Sequence, residues 1–280
     1  MRFPDFIGVG SPRCGTTWFS HVLDQHPQIY LDPQFKEIHY FDNNYHRGHA
    51  WYARFFEDAE PDQVAGEFTP AYMVDEGNLD HIADAVPDAK LVLIIRDPVK
   101  RAFSHYMQRK RYQRQMPNFQ TIIESNEKRI LDFGLYGEQL QAIYARFPEK
   151  QVFVIHFEEL VAKPEPILEM LQKFLEIEVL PLDPARAPKN AMTGVRSLAL
   201  KQFMRGIRSL GRRHSSFERI FFKLLPGKQF LGWLRQINQK PLLQVDERMT
   251  EQELTLLKEF YAKDRETLEE LLGRRMEWSW

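Results

Sequence analysis

Three short apolar runs punctuate the chain, and each leads toward a stretch with helical spacing. Phe6, Ile7 and Val9 precede a turn bounded by Gly10 and Gly15, after which residues 15–25 read as a helix ending near His26-Pro27. Residues 90–95 hold five consecutive apolar side chains behind a lysine, the pattern of a strand covered on both faces in a parallel sheet. A helix over 99–111 follows it. Residues 151–156 repeat the pattern with Val-Phe-Val-Ile, and a further helix opens at Pro164 and runs through 167–175.

The intervening pattern is weaker. Residues 28–31 suit a short strand, 32–42 a loop, 45–56 a helix or turn, 78–85 a short helix and 118–147 a helical stretch. A long amphipathic helix over 250–272 closes the chain, its apolar stripe built from Leu254, Leu257, Tyr261, Leu268, Leu271 and Leu272. Over 180–245, Pro181, Pro184 and Pro188 and an arginine-rich run at 205–213 suggest an irregular or helical cap on the substrate side. Strands alternating with helices predict an α/β fold with a central, mainly parallel sheet flanked by helices.

Composition narrows the partners. A chain of 280 residues can bury a sizeable core, and we read 1–280 as a single domain. Lys+Arg 38 against Asp+Glu 39 gives a net charge of −1, so no global field recruits nucleic acid and any anion site must be local. The apolar runs are strand-length, far short of the roughly 20 residues of a membrane span. The first strand begins at once, leaving no room for a signal peptide, and Cys14 is the single cysteine, so a reducing, cytoplasmic location and a monomer or homodimer are expected.

The chemistry concentrates first in the turn after the first strand. Gly10-Ser11-Pro12-Arg13-Cys14-Gly15-Thr16-Thr17 keeps the spacing of a phosphate-binding P-loop, but Thr16 stands where the lysine of that motif belongs. Backbone N–H groups of such a turn at a helix N-terminus cradle an anion. Thr16 and Thr17 add hydroxyls, and Arg13 adds a planar fork matched to phosphate or sulfate oxygens. Without the lysine, a metal-bound triphosphate fits poorly and a single 5′-phosphate fits well. Cys14 reads as a small filler of the loop.

A second element follows the 90–95 strand directly. Arg96 stands at the strand's carboxyl end, where ligands of open α/β sheets bind, and Ser104 lies about two helical turns further on. Together they suit a terminal phosphate, whereas Arg96-Asp97 taken alone also suits a local ion pair capping the helix. Arg101 and His105 are expected on the same helix in support.

These motifs resemble those of sulfotransferases that use 3′-phosphoadenosine 5′-phosphosulfate (PAPS). Gly10 to Trp18 resembles the family's 5′-phosphosulfate loop, with arginine at Arg13 where many members have lysine. R-D-P-x-x-R-x-x-S, from Arg96 to Ser104, resembles its 3′-phosphate element. The resemblance implies a nucleotide-kinase-like, three-layer fold and PAPS as donor, with 3′-phosphoadenosine 5′-phosphate (PAP) as product and no metal. It implies nucleotide contacts from Arg13, Cys14, Gly15, Thr16, Thr17, Trp18, Arg96 and Ser104.

Sulfuryl transfer also needs a base. Lys36-Glu37-Ile38-His39-Tyr40-Phe41-Asp42 resembles the Glu-x-His-aromatic-Phe stretch of the heparan-sulfate-type branch, bacterial members included, which makes Glu37 the expected base, with a pKa raised by burial, and His39 the alternative. Glu37 and His39 share a face of an extended segment, from which Lys36 points away unless the loop bends. Gly66-Glu67-Phe68-Thr69-Pro70-Ala71-Tyr72 resembles the branch's E-K-[ST]-P-A-Y, with Phe68 in place of a lysine that contacts the sulfate; Lys36 is the expected substitute, so Glu37, Lys36, His39 and Arg13 form the catalytic set. Glu67 reads either as a second carboxylate or as a partner of Arg13. The final Leu272 to Trp278 also matches the family, so the resemblance spans 5–175 and 245–280.

The acceptor is then a small molecule or carbohydrate offering a hydroxyl or amine. Lys189, Arg196, Lys201 and Lys240 are candidates to close over the 3′-phosphate. Trp51, Tyr52, Phe55 and Phe56 read as core more readily than as a stacking platform, and Arg205, Arg208, Arg212 and Arg213 as a solvated face or an attractor of anionic polysaccharide. A small-molecule kinase on the same fold and a catalytically inactive nucleotide-binding module are the alternative readings.

Overall fold

The computed structural model describes residues 1–111, 113, 115–187, 193–195, 239–241 and 248–278. They group into two compact units, residues 1–189 with 249–280, and residues 190–248. In the smaller unit, β6 (Thr193–Val195) pairs antiparallel with β7 (Gln239–Pro241), placing Lys240 opposite Gly194. Lys189, Arg196, Lys201 and the arginines of 205–213 lie outside the described residues.

The larger unit is built on a parallel sheet in the order β2-β3-β1-β4-β5. Its strands are β1 (Phe6–Gly10), β2 (Ile29–Leu31), β3 (Val64–Phe68), β4 (Lys90–Ile95) and β5 (Val152–His156). Alternation along the strands sends side chains to two cores. Phe6, Phe68, Val92 and Ile94 face one way, onto α1 (Thr16–Leu23), α8 (Phe157–Ala162) and α9 (Pro164–Phe174). Ile7, Val9, Leu91, Leu93 and Ile95 face the other way, onto the aromatic segment that includes α2 (His49–Ala53), and onto α3 (Glu76–Ala85) and α7 (Tyr136–Tyr144). The fold is therefore the three-layer α/β arrangement that the alternating pattern predicts. Each fully buried Leu or Ile contributes about 1.5–3 kcal/mol of transfer free energy.

A third apolar cluster joins α4 (Pro98–Lys110), α5 (Phe119–Glu124), α6 (Lys128–Leu131) and the C-terminal α10 (Glu251–Leu272). Caps fix where these helices begin. The Asp97 carboxylate accepts from the Val99 and Lys100 amides at 3.0 and 3.2 Å, with Pro98 in the first turn of α4. Thr250 and Glu253 form a reciprocal capping box at α10.

Two elements differ from the sequence pattern. The helical stretch of 118–147 is broken into α5, α6 and α7, because Asn126 takes a left-handed backbone (φ 49°) and Leu135 leaves the helical region. β3 is a strand that periodicity did not reveal: Gly66 and Glu67 both disfavour one. Its register, Gly66 opposite Phe6 and Phe68 opposite Gly8, explains the glycines. The Phe68 ring covers the space a Gly8 side chain would fill, and the Phe6 ring does the same at Gly66. Trp51, Tyr52, Phe55 and Phe56 are buried, as core residues.

Candidate active site

The loop from Ser11 to Gly15 leaves β1 at the carboxyl edge of the sheet and turns straight into α1. Gly15 is the N-cap of that helix in the left-handed region (φ 76°), and no side chain caps the first turn. Its amides are therefore directed at whatever lies above the loop, with the helix dipole behind them. Arg13 also takes a left-handed backbone, at φ 73°. Cys14 is fully buried, its Sγ 3.7 Å from the Tyr136 hydroxyl. Burial pushes its thiol up to about 11, so it fills the loop as an uncharged group. Trp18 is held by its indole Nε1–H, which donates to the Pro184 carbonyl at 3.2 Å.

The loop and the Arg96–Ser104 element meet in space across 91 residues of sequence. Arg13 Nε donates to Ser104 Oγ at 3.1 Å, and Arg96 Nη1 donates to the Arg13 carbonyl at 3.1 Å. The Arg96 guanidinium lies 4.9 Å over the Phe157 ring, and its buried Nε–H has no partner among the described residues. Asp97 caps α4 while Arg96 turns back to the loop, so the dipeptide serves both the helix and the site. Arg101 is fully buried in α4, with donors on the Ile130 carbonyl and, at 3.4 Å, on His105 Nδ1. Burial and the charges of Arg101, Arg109 and Arg13 push His105 down to about 3, so it stays neutral and accepts from Arg101. Both residues support the site from behind.

The segment from Lys36 to Asp42 closes the other side. The backbone is left-handed at His39 (φ 56°), and the side chains of Lys36, Glu37 and His39 lie together. Lys36 Nζ lies 3.2 Å from Glu37 Oε1, and His39 Nε2 lies 3.5 Å from Glu37 Oε2. Lys36 therefore does not point away, as an extended strand would require. Its ammonium also donates to the hydroxyls of Thr16, at 3.1 Å, and Thr17, at 3.2 Å.

Charge on these groups follows from the contacts. Burial works to raise the Glu37 carboxyl, but the hydrogen bond from His39 and the Lys36 ammonium outweigh it and hold the group below the ordinary carboxylate range. This corrects the expectation of a raised pKa: the partial desolvation of a half-exposed carboxylate is outweighed by its two cationic neighbours. Hydrogen bonds to Asp42, at 2.8 Å, and to Glu37 push His39 up to about 10. His39 is thus an imidazolium with both nitrogens committed to carboxylates, and it cannot stand in as the base. Its position orients Glu37.

Glu67 is neither a second reacting carboxylate nor a partner of Arg13. It is buried at the end of β3 and receives the Tyr52 hydroxyl at 2.7 Å, the Tyr72 hydroxyl at 3.1 Å, the Thr69 hydroxyl at 2.6 Å and the Ile38 amide at 3.4 Å. Tyr72 in turn accepts from the Tyr40 amide at 2.8 Å, and Thr69 from the His39 amide at 3.4 Å. Through these bonds Glu67 holds the backbone of residues 38–40. Burial raises its pKa, against the hydrogen bonds that lower it.

A family model described as "Sulfotransferase domain" matches residues 3–219. The chain belongs to the sulfotransferase family. It is 30% identical over 185 residues to mouse heparan sulfate glucosamine 3-O-sulfotransferase 3B1, covering 63% of this chain and 47% of that protein. It is also 30% identical over 190 residues to human heparan sulfate glucosamine 3-O-sulfotransferase 5, covering 63% of this chain and 54% of that protein. The chain spans about half the length of these curated relatives. Its fold matches the crystal structure of a sulfotransferase from Alicyclobacillus acidocaldarius with a TM-score of 0.69 at 23% identity, covering 99% of this chain and 98% of that one.

In this family member the sequence reading missed Asp42 and the tyrosines behind Glu67. Asp42 is three residues beyond His39, a spacing that the left-handed turn at His39 converts into a contact. Tyr72 closes the 66–72 motif, five residues beyond Glu67, without a role being read for it, and Tyr52 reaches Glu67 from a segment 15 residues upstream. Among the described residues no helix is long and apolar enough to cross a membrane.

Proposed function

We propose that the chain transfers a sulfuryl group from PAPS to a carbohydrate hydroxyl, with Glu37 as general base. The observation that carries this reading is the Arg13–Ser104 bond of 3.1 Å, which joins a single-phosphate loop to a second phosphate element. An adenosine bearing separate 5′ and 3′ phosphates presents anions at two points, and this pair of elements suits it. Arg13, Gly15, Thr16 and Thr17 would take the 5′-phosphosulfate, Arg96 and Ser104 the 3′-phosphate, with Trp18 and Cys14 shaping the loop.

The chemistry is positioning and charge stabilisation with one proton transfer. The acceptor oxygen forms a bond to sulfur as the bond from sulfur to the 5′-phosphate oxygen breaks. That bond pair leaves on the phosphate of PAP, and the hydroxyl proton passes to Glu37. Glu37 is ionised at neutral pH and keeps its acceptor capacity because His39 and Lys36 hold it as a carboxylate. The names of the mouse and human relatives, both glucosamine 3-O-sulfotransferases, support a sugar hydroxyl as acceptor.

The test is transfer of radiolabelled sulfate from PAPS to desulfated heparan sulfate, run beside phosphoryl transfer from ATP–Mg²⁺ to the same acceptor. Label on the polysaccharide with PAPS alone is the expected result. Transfer only from ATP would establish a kinase instead, and PAP binding without any transfer a nucleotide-binding module.

A further inference from the structure

One ammonium touches both halves of this site. Lys36 Nζ donates to Thr16 Oγ1 and Thr17 Oγ1 on the loop and to Glu37 Oε1 on the base segment, all within 3.1–3.2 Å. Its three protons are thereby matched to three oxygens. Arg13 Nε is on Ser104, and Arg96 Nη1 is on the Arg13 carbonyl, so both guanidiniums also reach toward the second phosphate element. The end of β3 supplies no cation, since Phe68 packs on Phe6 and Phe19 at ring distances of 5.9 Å. The Lys36 carbonyl accepts from the Phe68 amide at 3.2 Å, which ties the lysine to that strand end.

We propose that Lys36 is the catalytic cation that neutralises the sulfuryl group between donor and acceptor, a role that rests on the transfer reading above. In an in-line displacement the base lies beside the acceptor oxygen and the loop beside the leaving oxygen, so the sulfuryl group passes between them. A cation that bonds to both flanks borders that path. Sulfur exchanges its bond to the phosphate oxygen for one to the acceptor oxygen, the proton goes to Glu37, and Lys36 gives up no proton. The hydroxyls of Thr16 and Thr17 accept from Lys36 and so keep their own protons to donate to the same anion. The Lys36 side chain is 22% exposed. Burial lowers its pKa while the Glu37 carboxylate opposes that, so the charge acts in a partly desolvated setting where it counts for more.

The contact has a second consequence. Lys36 and His39 are the charged groups facing Glu37, and His39 is in turn held by Asp42. When the sulfuryl oxygens draw Lys36 away, Glu37 loses one of its two counter-charges and becomes a stronger base as the donor arrives. The acid limb of the pH profile therefore lies higher for kcat, which reports the loaded enzyme, than for kcat/KM, which reports the free one.

The experiment compares wild type, Lys36→Met and Lys36→Arg, using calorimetry with PAP and conversion of PAPS to PAP in the presence of desulfated heparan sulfate. PAP lacks the sulfuryl group, so its affinity should stay within about threefold in Lys36→Met, while the conversion rate falls ~10²–10³-fold. Lys36→Arg should recover at least about tenfold of that loss, and the acid limb of kcat/KM should move up in Lys36→Met. Turnover of Lys36→Met within about threefold of wild type, or an equal loss of PAP affinity and turnover, overturns the role of Lys36 alone. A wild type that does not bind PAP overturns the transfer reading and this role with it.

Discussion

Glu37 and Glu67 are two carboxylates of one site in opposite surroundings. Glu37 stands on a loop, half-exposed, between an ammonium and an imidazolium; Glu67 is sealed under the sheet edge among three hydroxyls and an amide. The first is lowered in pKa by its neighbours and the second raised by burial. A group that must take a proton from a substrate needs access and a charge that persists at working pH. A group that must hold backbone in place needs several donors and no access. Residue type alone does not separate the roles, and the partners do.

The comparison breaks most sharply on a pair of glutamines. Glu37→Gln should lower sulfuryl transfer about 10³-fold while leaving PAP affinity intact and urea stability within about 0.5 kcal/mol. Steady-state rates and a denaturation curve measure both sides. Glu67→Gln should do the reverse, lowering stability by about 2–3 kcal/mol, because an amide NH₂ would face donors that now all point inward. If the urea midpoint of Glu67→Gln matched wild type, the supporting role of that carboxylate would be lost.

A finer cut uses pH. Glu37 sits below the ordinary carboxylate range, so the rate should be level through neutrality and fall only as acid protonates it. His39, raised to about 10, keeps its charge below that value and loses it as pH rises through it, so a second decline is expected on the alkaline side. Asp42→Asn removes the partner that most raises His39 and should move the alkaline limb toward neutrality; an unmoved limb would detach His39 from the profile. The smallest effect belongs to Tyr72→Phe, which removes one of four bonds to Glu67 and the acceptor of the Tyr40 amide, and should cost about 1–2 kcal/mol of stability by thermal or chemical unfolding.

How far these roles were legible in the sequence depended on how local their signals were. The loop from Gly10 to Thr17 declares itself in eight residues, because glycine spacing and a helix start are both short-range properties. β4 and β5 announce themselves by apolar runs, and α10 by its stripe. β3 does not, because a buried glutamate and a glycine are tolerated there only through the Tyr52 and Tyr72 hydroxyls and the Phe6 ring, contacts that no periodicity within the strand encodes. Arg13 and Ser104 were legible as two motifs, while the bond between them belongs to the sheet, which places the ends of β1 and β4 side by side. The lowered pKa of Glu37 was the least accessible, since it depends on a bend at His39 that periodicity does not encode.

The central claim is that this site is built for an adenosine carrying two separated phosphates, and calorimetry tests it most directly. PAP, 5′-AMP and ATP–Mg²⁺ are titrated into wild type and Ser104→Ala. The account predicts that wild type binds PAP at least about 100-fold more tightly than 5′-AMP, with ATP–Mg²⁺ weaker than PAP, and that Ser104→Ala narrows the PAP preference about tenfold. Equal affinity for PAP and 5′-AMP, or tighter binding of ATP–Mg²⁺, would contradict it.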